Sequence, residues 1–171
     1  MNTAALPTDA DSTLPDIRHR VRVDAPLAAV RAALLQQDHL RGCWTREAEV
    51  ADGTGVFRWS GHGFEVRLIL RQNTAGDLVR WHCTASNMQH TAAWEGTSMR
   101  FRLRALDAIT TQIDFSHTGY QASDCRAVCD QGWAFFLGTS LRQYLETGRG
   151  MPYPETADTS QGVPSAAASP N

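Results

Sequence analysis

The chain has 171 residues, of which 42% are hydrophobic, 8% aromatic and 20% charged, and 16 basic against 18 acidic residues leave a net charge of −2. That is the size and composition of one globular domain, and so small a charge excludes a polycation held to nucleic acid or membrane by net charge. Every basic residue is arginine, so neither a lysine Schiff base nor a P-loop lysine is available.

Residues 1–15 are rich in Ala, Thr, Asp and Pro, and 154–171 hold no large apolar residue beyond Val163. Such segments cannot bury enough surface to offset backbone ordering, so both tails are expected to be disordered, leaving 16–153 as the domain. The amino terminus has no basic and apolar signal pattern, and no apolar run reaches the roughly 20 residues that a bilayer needs. Four cysteines without a secretion signal read as reduced thiols. The expected location is cytoplasmic.

Ile17–Val23 alternates strictly, with Arg18, Arg20 and Arg22 on one face, and predicts a half-buried strand. Asp24-Ala25-Pro26 predicts a capped helix start, followed by Leu27, Val30, Ala33 and Leu34 at helical spacing. A second short helix is expected over Asp38–Cys43, ending near Trp44. Strands follow at 46–50 and 56–60 around the hairpin signal Asp52-Gly53. Further strands are expected at 64–71, 78–83, 97–106 and 109–117, and a connection without period, Thr84–Gly96, separates the third and second last. From about Asp124 to Glu146, Cys129, Trp133, Phe136, Leu137, Leu141, Tyr144 and Leu145 form an apolar stripe, and Gly148, Gly150 and Pro152 end it. A one-sided antiparallel sheet needs a cover, and this helix is the only element large enough. The pattern predicts an α+β fold.

Four stretches carry a resemblance to a known family. They are Val21-Arg22-Val23-Asp24-Ala25-Pro26 with Trp44, then Trp94-Glu95-Gly96-Thr97 with Met99-Arg100-Phe101, then Ile113 through Gly119 with Cys125 and Cys129, and finally Gly132-Trp133 through Leu141 with Glu146 to Pro152. Together they resemble the START-like helix-grip superfamily (SRPBCC), in the branch of homologues of the activator of the ninety-kilodalton heat-shock chaperone's ATPase. The resemblance implies a curved antiparallel sheet of about seven strands around a long C-terminal helix, with two short helices after the first strand. It also implies a cavity between sheet and helix for a small hydrophobic or amphipathic ligand, with no cofactor.

Phe57, Trp59, Trp81, Phe101 and Phe115 have inward strand parity, and Trp133, Leu137 and Tyr144 come from the helix stripe. They either fill the core or line a pocket floored by Trp81 and Phe101 and roofed by Trp133 and Leu137. His19, Thr111, His117 and Ser140 are the polar residues with inward placement. His117 reads as a hydrogen-bonded core residue, a ligand-orienting group or the general base of a cyclase or hydrolase; no carboxylate shares its parity. Cys125 and Cys129, four apart, read as packing thiols or a redox pair, because zinc needs four ligands and no second pair appears. Thr84–Gly96 is either a lid or a plain crossover. Arg100, Arg102 and Arg104 share an outward face, which is either solvated or docks an acidic protein such as a chaperone. No aromatics interleave there, so nucleic acid is not expected.

Overall fold

The computed structural model describes residues 15–120 and 125–154. The expectations for 1–14 and 155–171, and for a helix start at Asp124, lie outside the described residues. Within them, β1 (Ile17–Val23), β2 (Glu47–Ala51), β3 (Thr54–Trp59), β4 (Phe64–Gln72), β5 (Leu78–Ser86), β6 (Ser98–Asp107) and β7 (Thr110–Thr118) form one antiparallel sheet. Its order is β1-β7-β6-β5-β4-β3-β2. The short helices α1 (Leu27–Ala33) and α2 (Gln37–Cys43) connect β1 to β2. The closing helix is continuous through Arg126–Phe135, a π-helical segment Phe136–Leu141, and Arg142–Thr147.

The strand alternation decides which face is buried. Along β7, Thr111, Ile113, Phe115 and His117 are buried, while Gln112, Asp114 and Ser116 turn outward. Asp52 and Gly53 both have positive φ (51° and 74°), the geometry that a two-residue hairpin requires. Register shifts at Arg67/Leu68 and Ala105/Asp107 mark bulges that add twist and curve the sheet toward the helix. Into that curve the closing helix buries Cys129, Trp133, Phe136, Leu137 and Leu141. Each large apolar side chain so buried contributes about 1.5–3 kcal/mol.

Two local expectations are corrected. Asp24 does not cap α1: the N-cap is Pro26, without a side-chain hydrogen bond, while the Asp24 backbone N–H donates to Glu146 Oε1 at 3.3 Å. Strand β5 runs on to Ser86 because Arg67 and Val66 still pair with Ala85 and Ser86 across the bulge, which shortens the long connection.

Gly148, in the left-handed region at φ 86°, ends the closing helix. The chain then returns to the start of β2, where Arg46 N–H donates to Tyr153 O at 2.7 Å and Tyr153 N–H to Trp44 O at 3.0 Å. Gly150 makes this return possible, since a Cβ there would meet the backbone oxygens of Gly42 at 2.6 Å and Ser140 at 2.9 Å. Gly150→Ala is expected to cost roughly 1–3 kcal/mol by overpacking. Gly138→Ala, whose Cβ meets nothing within 4 Å, should instead gain about 0.5–1 kcal/mol. Urea unfolding of both variants measures the contrast.

Candidate functional site

The middle of the sheet–helix interface is filled. Ring centroids lie 4.5 Å apart for Trp81 and Phe101, 5.1 Å for Phe101 and Phe115, and 4.6 Å for Phe115 and Trp133. Trp81 is also tied to the end of α1, its indole N–H donating to Leu34 O at 2.9 Å. Phe57 and Leu137 are fully buried in the same cluster. Tyr144 faces α2 instead, hydrogen-bonded through its hydroxyl to His39 Nδ1 at 2.6 Å. His19 meets Asp130 of the closing helix at 2.7 Å, and the Thr111 hydroxyl donates to Ala25 O at 2.8 Å.

The open space lies at one end of that interface. A half-open cavity of about 520 Å³ is bounded by the closing helix, the end of α2, the β3–β4 turn, the connection after β5 and the returning chain. Of the residues expected to line a pocket, Trp59, Trp133 and Ser140 border it, whereas Phe57, Trp81, Phe101, Phe115, His117, Leu137 and Tyr144 do not. Trp44 and Trp94 join the walls, so four of the chain's five tryptophans surround this space. Among the described residues, no aspartate, glutamate or arginine borders it. Its polar groups are His62, Gln89, Ser140, the Tyr153 hydroxyl and the thiols of Cys43 and Cys129.

Two elements shape this end. Trp44, at the end of α2, packs its ring 5.0 Å from both Trp59 and Trp81 and 4.8 Å from Phe57, which closes the inner wall. The connection after β5 supplies Met88, Gln89 and Trp94, and Gln89 and His90 hold consecutive positive φ values of 56° and 59° at the rim. Non-glycine residues in that region are uncommon, and here Asn87 braces the turn by donating to Gly63 O at 2.9 Å and accepting from Glu65 N–H at 2.7 Å. The connection is therefore a wall of the cavity. Inside the π segment the Ser140 hydroxyl donates to Cys43 O at 2.5 Å and accepts from Met151 N–H at 2.8 Å, so it fixes the returning chain.

His117 is fully buried behind Trp133 and Trp94. Trp133 Nε1–H donates to its Nδ1 at 3.0 Å, and an indole can only donate, so Nδ1 carries no proton. Nε2–H then donates to Thr97 Oγ1 at 2.8 Å, and the Thr97 hydroxyl in turn donates to Trp94 O at 2.6 Å. Both ring nitrogens are committed. Burial holds the imidazole down to about 3, so it is neutral and leaves no lone pair for a substrate proton.

On the outer face Asp114 separates the arginine rows, with Arg20 on one side and Arg102 on the other. Arg20 Nε meets Asp114 Oδ1 at 2.5 Å. One strand further, Arg80 stands directly opposite Arg100, a like-charge pair with no ion-pair partner among the described residues.

No family model and no curated protein matches the chain. Solved structures do. An Aha1 dimer from Colwellia psychrerythraea is 26% identical, with a TM-score of 0.66 over 80% of this chain and 100% of that one. The fold is Aha1-like, of the START-like helix-grip (SRPBCC) type. A Staphylococcus saprophyticus protein (18% identical, TM-score 0.60, 80% and 95% covered) and a Bacillus halodurans protein (21%, 0.59, 79% and 99%) share this fold. Among the described residues of this Aha1-like chain, no helix is long and apolar enough to cross a membrane, and no three His, Cys, Asp or Glu side chains cluster as metal ligands would.

The His117 network sets a pH dependence for this Aha1-like fold. The unfolded chain binds a proton at about pH 6.5 and the folded chain at about pH 3, so the unfolded state holds the extra proton between them. Stability is complete above the upper value and falls as pH drops through this window, by about 1.4 kcal/mol per unit. Urea midpoints measured from about pH 7 to about pH 5 should decline accordingly. His117→Gln, whose amide can still accept from Trp133 and donate to Thr97, should flatten that slope.

Proposed function

We propose that this protein is a cytoplasmic, cofactor-free binder of a small hydrophobic or amphipathic molecule. The cavity carries the reading: about 520 Å³, walled by Trp44, Trp59, Trp94 and Trp133, with no aspartate, glutamate or arginine bordering it among the described residues. Sites for small ligands fall in this size range and are mainly apolar with a few polar groups that orient the guest. An apolar body would lie against the tryptophans and a polar end would reach His62, Gln89 or the Tyr153 hydroxyl. The commitment of both His117 nitrogens favours binding over proton transfer at that residue.

Gly132 offers a clean test, since it borders the cavity and a Cβ there meets nothing within 4 Å. Gly132→Leu should fill the space while the helix stays intact. Native mass spectrometry of the wild-type protein should reveal a co-purifying apolar molecule, or calorimetry should detect a naphthol. The Leu variant should weaken either by tenfold or more, about 1.4 kcal/mol. Equal affinity in both proteins, or no uptake by the wild type, removes this reading.

The arginine face supports a second reading, a module that docks an acidic protein, perched on Arg100, Arg102 and Arg104. What favours it is the unneutralised Arg80–Arg100 pair, a repulsion that an acidic partner would relieve. The domain should then alter the ATPase turnover of a heat-shock chaperone, and Arg100→Glu, which faces Arg80, should abolish the effect without lowering stability. An unchanged turnover with the wild-type domain excludes it.

A further inference from the structure

Cys125 and Cys129 stand one turn apart at the start of the closing helix with their Sγ atoms 3.4 Å from each other, and both are buried. The Cys129 backbone N–H donates to Cys125 O at 2.8 Å, so the two share one helix face. Three further features converge on this pair. Cys129 borders the half-open cavity, which gives a small solute a path to its sulfur. Burial pushes the Cys129 thiol up to about 12, and the Trp94 indole N–H, donating to Cys129 Sγ at 3.3 Å, offsets part of that rise by favouring negative charge on the sulfur. The Tyr120 hydroxyl is buried beside Cys129 and Trp94 and has no well-aligned hydrogen-bond partner among the described residues. A polar atom formed on the neighbouring sulfur would give this hydroxyl a well-placed acceptor.

We propose that Cys125 and Cys129 form a redox-active dithiol that a hydroperoxide converts into an intrachain disulfide. The Cys129 sulfur attacks the outer peroxide oxygen, the O–O bond breaks, and the thiol proton passes to the departing oxygen, so the products are a Cys129 sulfenic acid and an alcohol, or water when the oxidant is hydrogen peroxide. Tyr120 is placed to hydrogen-bond the sulfenic oxygen. Cys125 sulfur then attacks Cys129 sulfur, the S–O bond breaks, and the thiol proton leaves with the oxygen as water. Two thiols are oxidised and one peroxide is reduced.

Closure brings the sulfurs from 3.4 Å to about 2.05 Å. On a regular helix, Cβ atoms four residues apart are about 5–6 Å from each other, wider than the 3.5–4.5 Å of a relaxed disulfide. The first turn must therefore tighten, and the resulting bond is readily reduced again. The dithiol does not depend on the cavity holding a ligand.

The experiment uses the full-length, reduced wild-type protein, folded, with hydrogen peroxide as the oxidant. Peptide mapping should show the segment carrying Cys125 and Cys129 losing the mass of two hydrogens, and dithiothreitol should restore it. Cys43, which borders the same cavity and makes no sulfur contact among the described residues, is the internal control. It should gain oxygen at least about tenfold more slowly than Cys129 is oxidised, because burial raises its thiol with no donor among the described residues to offset the rise, whereas the Trp94 N–H offsets part of it at Cys129. Cys125→Ser should stop at a Cys129 sulfenic acid that dimedone traps. Oxygen uptake at Cys129 without a cross-link, or oxidation of Cys43 while the pair stays reduced, overturns the proposal; both results come from the wild-type chain, so they hold even where the serine variant fails to fold.

Discussion

The indole N–H of Trp133 must find an acceptor once it is buried, and Nδ1 of His117, 3.0 Å away, is that acceptor. This contact joins the closing helix to β7 at one point and in one orientation. It fixes the tautomer of His117, which fixes the partner of Thr97, which in turn holds the carbonyl of Trp94. Trp94 then stacks on Trp133 with centroids 5.5 Å apart and planes 15° from parallel. Helix, sheet and connection are thus locked by one chain of donors and acceptors, each satisfied in a region that excludes water.

The position of the cavity follows from that lock. With Trp133 drawn toward His117, its ring fills the centre of the sheet against Phe115, and Trp81 and Phe101 complete a solid middle. The space that the curvature leaves over is displaced toward Trp44, Trp59 and the turn at Gln89. The π segment serves the same end, because its extra width brings Ser140 under the returning chain and lets Gly150 pass against Gly42 and the Ser140 carbonyl.

Much of the fold was legible because it rests on periodicity. Strand β1 has the predicted bounds, and Asp52-Gly53 forms the expected turn with two positive φ values. From Thr111 to His117 the inward set of β7 is the buried set, but Thr110 is buried against its parity and Ile109, at the start of the expected strand, is exposed. Parity shows which side of a strand a residue faces, but not how far along the strand the helix stops covering it. Phe57 and Trp59 share a parity, yet Phe57 is buried under Trp44 while Trp59 borders open space. Trp44 and Trp94 escaped the expected site for a second reason: they lie at a helix end and in an aperiodic connection, and only the tertiary contacts bring them to the cavity. Asp24 shows the same limit at one residue, where a cap signal lost to the proline at position 26 and a contact from Glu146.

The gathering of Trp44, Trp59, Trp94 and Trp133 around one space, with Trp81 in contact behind Trp44, has an optical consequence. Every indole in the chain belongs to a single assembly, so ultraviolet light absorbed by any of them is shared among close neighbours before it is re-emitted. The protein's intrinsic emission is then a signal from that one corner of the molecule, and it is silent about the arginine-studded exterior.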